Sequence, residues 1–179
     1  TDEDWNAIIR AFQHSDNDLL SFESDHQVDQ STIQFKAGAK LHEFGACNNC
    51  HFYGEVMPIQ GPQTWAPNLA MTKDRLRPEW VVDWMRNPQK IMPGTKMPAP
   101  YLPTSDILNV DNAELTWGNE LVQINGDTDL MLQGLRDYIY LIEGKKDISE
   151  IVRNYFKNNG YNFESEDEDD EDDWDDEEW

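Results

Sequence analysis

Basic residues are scarce in this chain of 179 residues, because 14 lysines and arginines stand against 36 aspartates and glutamates, for a formal charge of -22 at pH 7. A protein that binds a phosphate backbone needs a basic surface, so this balance argues against nucleic acid as a partner. Long apolar runs are lacking too. No stretch approaches the roughly 18 to 20 apolar residues of a transmembrane helix, and the sequence therefore predicts no membrane span.

The chain begins Thr1-Asp2-Glu3, without an initiator Met or a basic, apolar leader. From this start we expect a mature, soluble chain. The length suits one domain with appended segments. The hydrophobic share of 38% predicts that part of the chain lies outside a packed core.

The acidic residues are unevenly distributed. Residues 164–179 contain 13 acids and no base, and such a block repels itself, so we expect a disordered acidic tail. Residues 1–31 form an acidic N-terminal arm. In that arm the spacing of the apolar residues predicts one short helix, followed by a linker over residues 13–32; the apolar residues are Trp5, Ile8, Ile9 and Phe12.

Apolar spacing predicts an all-α fold. Helices are expected over residues 32–46, between Pro78 and Pro88, from Met131 to the glycine at 144, and again over residues 145–163, with Asp147 as N-cap. In the first of these helices the face expected to be buried carries Ile33, Ala37, Leu41 and Phe44.

The intervening segments are expected to be less regular. Residues 54–78 and 91–100 are rich in proline and glycine, which predicts loops, the second of them rigid. Residues 102–128 are ambiguous. There Val122 and Ile124 alternate before Asn125-Gly126, which allows a short hairpin.

Cysteine is the scarcest reactive residue, and only Cys47 and Cys50 occur, with His51 directly after the second. Two cysteines make no disulfide framework. The pattern C-x-x-C-H is the attachment motif of c-type haem. Each thiol can add to one haem vinyl group, and the short tether then holds the imidazole beneath the iron.

This motif has three other interpretations. A redox C-x-x-C site is expected in a βαβ setting, and a zinc site needs four ligands. The sequence near Cys47 shows neither context. Two incidental buried thiols beside an incidental histidine remain the third alternative, and one covalent haem is the favoured interpretation.

A haem iron needs a sixth ligand or an open position. Met97 lies in the proline-rich segment, where a rigid backbone suits a weak thioether ligand, and Met92 is its nearest rival. The other methionines weighed are interpreted as core residues: Met71, Met85 and Met131.

The remaining histidines are weaker ligand candidates. His42 is expected at a polar surface position, and His14 and His26 lie in the acidic arm. A bis-histidine site is therefore the minority interpretation.

The segment from Ile33 to Gly144 resembles the class I cytochrome c family, a small all-helical haem domain. The resemblance rests on four matching segments: Gly38 to Gly45 before the Cys47-x-x-Cys50-His51 motif, Pro67-Asn68-Leu69, Pro93-Gly94-Thr95-Lys96-Met97-Pro98, and the closing helix from Met131 to Ile142. The chain departs from the family at Ala66, where Gly is usual, in the long insertion 102–128, and in both terminal extensions.

The resemblance implies a domain over residues 32–144 with one covalent haem c. By that likeness Cys47 and Cys50 hold the haem, His51 and Met97 ligate iron, and the carbonyl of Pro67 orients the ring of His51. It also implies that Gly38 lets the first and last helices cross closely, with Tyr138 or Tyr140 packing there. Six aromatic residues are interpreted as walls of the haem site: Phe44, Phe52, Trp65, Trp80, Trp84 and Tyr101.

The expected function is one-electron transfer without enzymatic activity, between a redox donor and acceptor that include a partner with a basic docking face. Two alternatives stay open. In the first, the chain is a ligand-binding haem protein in which Met97 dissociates from the iron. In the second, it is a subunit of a larger redox complex or extracellular assembly, in which the acidic tail contributes to binding. Covalent haem attachment implies export to the periplasm or the cell surface. Lys73, Arg75 and Arg77 are either propionate partners or ordinary surface residues.

Overall fold

The structure is a computed structural model that describes residues 26–161. It is mostly helical, with 57% helix and 3% strand, and no sheet forms among the described residues. The all-α prediction is confirmed for this part of the chain. The predicted tail at 164–179 and the helix predicted near Trp5 lie outside it. The described residues belong to two compact units, one ending at Lys146 and one beginning at Asp147.

Nine α-helices are formed by residues 26–161, joined by short 3-10 turns and loops. In chain order they are α1 Ile33–Gly45, α2 Thr72–Arg75, α3 Pro78–Arg86, α4 Pro88–Ile91, α5 Ser105–Leu108, α6 Ala113–Trp117, α7 Asn119–Ile124, α8 Thr128–Tyr140 and α9 Ser149–Asn158. The 3-10 turns are Cys47–Asn49, Pro62–Thr64 and Leu69–Met71.

The two longest helices begin at side-chain caps. The hydroxyl of Thr32 accepts a hydrogen bond from the backbone of Phe35 at 3.2 Å. The carboxylate of Asp127 accepts from the backbone of Asp129 and Leu130, each at 3.0 Å. These bonds satisfy backbone donors that an α-helix leaves unpaired at its start, so both helices have defined first turns.

Helices α1 and α8 touch through their backbones at two glycines. A Cβ built on Gly38 would lie 2.0 Å from the carbonyl carbon of Gly134, and one built on Gly134 would lie 1.8 Å from the carbonyl oxygen of Gln34. Neither position has room for a side chain. The prediction that Gly38 permits a close crossing is confirmed. Tyr138 packs beside it, with its ring centroid 4.6 Å from that of His42.

The hydrophobic core is built around this crossing. Tyr140, on α8, is held in this core by a hydrogen bond that its phenol donates to the carbonyl of Leu76 at 2.6 Å. The core side chains come from α1, α3, α5, α7 and α8: Ala37, Leu41, Val81, Val82, Met85, Leu108, Leu121, Ile124, Met131, Leu132, Leu135, Ile139 and Tyr140.

The insertion 102–128 is helical, and the predicted hairpin is wrong. Leu121 and Ile124 are buried at helical spacing in α7, so the apparent alternation of Val122 and Ile124 was misleading. Asn125 adopts a left-handed conformation with φ of 53°, as residues that end a helix often do. The Asn-Gly pair therefore ends a helix instead of turning a hairpin.

Two further expectations need correction. Ile33 and Phe44, at the two ends of α1, are exposed, because both lie away from Gly38, where α8 crosses the helix, and Trp117 covers Phe44 only in part. The segment 54–78, predicted as loop, contains α2 and two of the 3-10 turns.

The second unit contains α9. The N-cap is Ile148 and not Asp147 as predicted, although the carboxylate of Asp147 accepts a hydrogen bond from the backbone of Ser149 at 3.0 Å. The helix ends at Asn158, and Gly160 follows with φ of 84°. None of the helices within residues 26–161 has the length and apolar character of a transmembrane segment.

We expect Gly134→Ala to destabilise the protein by at least about 2 kcal/mol, because the added methyl group would overlap the backbone of α1. Thermal unfolding followed by circular dichroism would measure the loss. Thr128→Ala, at an exposed position of the same helix, is the matched control and should stay within about 0.5 kcal/mol of the parent. An unchanged melting temperature for Gly134→Ala would show that the two helices do not touch at this point.

Candidate functional site

The C-x-x-C-H motif follows directly from the end of α1. Ala46 ends that helix in a left-handed conformation with φ of 46°, and residues Cys47–Asn49 then form one 3-10 turn. The backbone of His51 donates to the carbonyl of Cys47 at 2.9 Å. Both thiols and the imidazole are therefore carried by one tight backbone turn.

The two cysteines are free thiols, and both are half-buried. Burial is the main cause that raises the pKa of Cys47, which favours the uncharged thiol. A Cβ on Gly45 would lie 3.3 Å from the sulfur of Cys47, tighter than an ordinary contact. Glycine at this position leaves space for the sulfur.

A second loop runs alongside the motif. The backbone of Ala66 donates to the carbonyl of Cys50 at 2.8 Å, and that of Leu69 donates to the carbonyl of Phe52 at 2.9 Å. These bonds hold Pro67 against the motif. Its carbonyl oxygen lies 2.7 Å from Nδ1 of His51, which is the contact that the family resemblance implies.

This contact determines which nitrogen of His51 carries the proton. A carbonyl oxygen only accepts hydrogen bonds, so Nδ1 must donate. Burial is the main cause that lowers the pKa of His51, while the Pro67 carbonyl opposes it, and the neutral ring is favoured. In the neutral ring Nε2 then has a free lone pair, as a metal-binding imidazole requires.

Met97 is the second candidate iron ligand and lies in the loop 92–100. Its sulfur has a specific hydrogen-bond partner. The indole Nε1 of Trp84, on α3, donates to the sulfur of Met97 at 2.8 Å. Met97 is half-buried and packs against the core. A thioether sulfur has two lone pairs, so one remains available for a metal.

The Met97 loop is held by local bonds. Gly94 adopts a φ of 88° that favours glycine, and the backbone of Met97 donates to the hydroxyl of Thr95 at 3.3 Å. The ammonium of Lys96 donates to the carbonyl of Gln63 at 3.1 Å. This last bond joins the loop that carries Met97 to the loop that carries Pro67.

The rival ligands have other surroundings. The side chain of Met92 is 58% exposed, whereas Met85 and Met131 belong to the core, as predicted. His26 lies 2.6 Å from the buried carboxylate of Asp137, so its ring is engaged by α8.

The expectation that His42 is a polar surface residue is wrong. Its ring is half-buried, its Nε2 is hydrogen-bonded to the phenol of Tyr53, and Tyr138 packs against it. Burial lowers the pKa of His42, with the carboxylate of Glu43 opposing it more weakly. The ring therefore serves the packing between α1 and its neighbours.

The aromatic residues singled out from the sequence form three separate groups. Phe52 is buried edge-on to Trp65, with ring centroids 5.0 Å apart. Trp80 and Trp84 stack at 5.3 Å. The remaining two, Phe44 and Tyr101, are joined through Trp117, with ring centroids at 5.0 and 5.9 Å from it.

Sequence reasoning missed two of these roles. Trp117 lies in the insertion, where a hairpin was considered and no site was expected. The sequence predicts Trp84 as a wall of the haem site, but not as the donor to Met97. Its indole N–H, an obligatory donor that rarely stays unpaired when buried, was the available signal. Lys73, Arg75 and Arg77 are exposed on α2 and at the start of α3.

The donor set fits a covalent haem. Two unpaired thiols, an imidazole with Nε2 free to bind, and a positioned thioether match what that group takes from a protein. Within residues 26–161, no group of three or more His, Cys, Asp and Glu side chains is arranged to hold a metal ion. A haem iron bound by one histidine and one methionine would take only two protein ligands, so it would not need such a group.

Comparison of the chain with protein-family models, with curated proteins and with solved structures finds no match.

The pKa of His42 predicts a pH dependence of stability. Because the folded protein disfavours the charged ring, the unfolded chain binds a proton more readily, and stability falls as the pH drops through the ordinary histidine pKa of 6.5. Stability is full above that value. We expect the melting temperature to fall more between about pH 7 and about pH 5 in the parent than in His42→Gln. Equal losses in both proteins would contradict this role of His42.

Proposed function

We propose that this protein is a one-electron carrier that holds one covalently attached c-type haem in a cytochrome c-like domain. The observation that supports this most is the bond between His51 and Pro67. The motif predicts a haem ligand at His51, and the fold supplies the carbonyl that gives this ring the proton arrangement of a ligand.

In this proposal each residue has a defined task. Cys47 and Cys50 anchor the haem through thioether bonds, His51 and Met97 bind the iron, and Pro67 holds the orientation of the His51 ring. When bound, the haem supplies a reversible one-electron couple. The protein supplies the ligands, a partly apolar surrounding and a fixed geometry.

Trp84 has an electrostatic role in the same proposal. The positive end of its N–H dipole faces the sulfur of Met97 at 2.8 Å. This dipole disfavours the additional positive charge of the oxidised state, and it therefore raises the reduction potential. It also restrains the rotation of the Met97 side chain, which keeps the sulfur in one place.

The proposal is for a carrier and not an enzyme. With His51 and Met97 both bound to iron, no coordination position is left for a substrate. The same family resemblance implies maturation outside the cytoplasm, so we propose export to the periplasm or the cell surface. The physiological donor and acceptor are redox proteins, and membership of a larger complex is compatible with the terminal extensions.

Covalent attachment is tested by expressing the full chain with the c-type maturation machinery and measuring its mass. We expect the mass of the chain plus one haem, and colour that stays with the protein in acid acetone. Cys47→Ala combined with Cys50→Ala should lose the covalent haem, while Asn48→Ala, inside the same motif but without a thiol, should keep it. A colourless parent protein, or one whose mass lacks the macrocycle, would end the proposal.

The role of Trp84 is tested by measuring the reduction potential of the haem-loaded protein. Removing one hydrogen bond, of about 1 kcal/mol, should lower the potential of Trp84→Phe on the order of tens of millivolts. Trp80→Phe keeps a stacked ring and leaves the hydrogen bond from Trp84 to Met97 in place, so it should change the potential much less. The weak absorption band that sulfur-bound ferric haem shows in the red should persist in both variants.

An unchanged potential in Trp84→Phe would contradict that role. Fast, stoichiometric binding of carbon monoxide by the reduced parent protein would instead show that Met97 leaves the iron readily, and it would favour a ligand-binding haem protein over a carrier.

A further inference from the structure

A cluster of three aromatic side chains lies where α1, the chain after Met97 and α6 meet. We call Phe44, Tyr101 and Trp117 the aromatic platform. Tyr101 stacks on Trp117 with an angle of 27° between the rings, and Phe44 packs on the same indole. Trp117 also packs against the core, whereas Phe44 is 46% and Tyr101 60% exposed. The platform thus presents large apolar rings to solvent from a fixed base.

The platform joins the two segments that carry the candidate haem ligands. Phe44 is three residues before Cys47, at the end of α1, and Tyr101 is four residues after Met97. Trp117 comes from the insertion, which the resembled family lacks. A partner bound on these rings would therefore stand next to both chain segments of the site.

The surroundings of the platform are acidic. The stretch 98–128, which supplies two of its three rings, contains five acids and no base. Asp111 and Glu114 are exposed there. On α1, the exposed Glu43 pairs with Lys40 at 2.9 Å, so the base closest to Phe44 along that helix is already neutralised by a neighbour.

These features fit the anatomy of a protein-binding surface. Exposed apolar patches mark interaction sites, and aromatic residues are enriched among the side chains that contribute most to binding. Rings that are already stacked lose little conformational freedom on binding. The exposed acids beside the platform, Asp111 and Glu114, would attract a basic partner over a distance. They would repel a second copy of this chain, whose total charge is -22.

We propose that the aromatic platform is the docking surface for a basic redox protein, whose contact face has an apolar centre ringed by lysine and arginine. This inference rests on the proposed function as an electron carrier. In the exchange, the reduced protein loses one electron and the oxidised partner gains it, with no proton or bond transferred.

The test uses the haem-loaded full chain, reduced, mixed rapidly with an oxidised basic blue-copper protein. Loss of the blue absorption reports reduction of copper. We expect Tyr101→Ala to lower the second-order rate constant at low salt about three- to tenfold. Ile33→Ala, which removes an apolar side chain that is 36% exposed at the opposite end of α1, should leave it unchanged.

A charge variant provides the second measurement. Glu114→Lys is an exposed substitution that should keep the fold, and we expect it to lower the rate at low salt and to weaken the dependence on ionic strength. Asp83→Lys, on α3, is its matched control and should have the smaller effect on both. The reduction potential of each variant is measured, so that a changed driving force is not mistaken for weaker docking.

The outcomes separate the inference from the function on which it rests. If Tyr101→Ala and Glu114→Lys carry haem and reduce copper at the parent rate, the platform is not the docking surface, although the carrier function stands. A changed haem spectrum in Tyr101→Ala with an unchanged rate would show that the ring walls the haem, and would also overturn the inference. A parent protein without haem would refute the proposed function itself.

Discussion

The close crossing of α1 and α8 is the constraint on which the arrangement of the first unit depends. Gly38 and Gly134 bring two helix backbones into direct contact, and the buried faces of both helices then close over a shared core. Because α1 ends at the candidate site, its orientation also sets where the thiols and the imidazole of the motif begin. Packing at the crossing and chemistry at the motif are thus linked by a single rigid helix.

In both candidate ligands, His51 and Met97, a group with no charge positions the atom that would bind iron in the proposed site. A backbone carbonyl holds the ring of His51, and an indole N–H holds the sulfur of Met97. Neutral hydrogen-bonding partners orient a ligand without adding a buried charge, which would be costly unless it were paired. The bond from Lys96 to the loop before Pro67 connects the two sides.

Much of the fold could be predicted from the sequence where the signals were local. Apolar spacing and prolines located α1, α3 and α8, and the motif singled out two thiols and an imidazole that one backbone turn carries. The predictions that failed concerned residues whose structure depends on tertiary packing. Asn125-Gly126 has the same local chemistry in a hairpin and at a helix end, and only the burial of α7 distinguishes them.

Side-chain partners were harder to predict than helices. His42 falls outside the apolar stripe of α1, so the sequence predicts a surface position, but Tyr53 and Tyr138 cover it from other segments. Trp117 acquires its role only when α6 meets the end of α1. Contacts between distant segments depend on tertiary packing, which no periodicity within one segment reports.

The side chain of Asn68 also joins distant parts of the chain, since its oxygen accepts from the backbone of Gly54 and Ala70 and its nitrogen donates to the carbonyl of Lys145. An amide can do both because it carries donors and an acceptor. Slow deamidation would replace the nitrogen with a carboxylate oxygen facing that carbonyl, and attraction would become repulsion. The segment that follows α8 is therefore held by a hydrogen bond that deamidation of Asn68 would break.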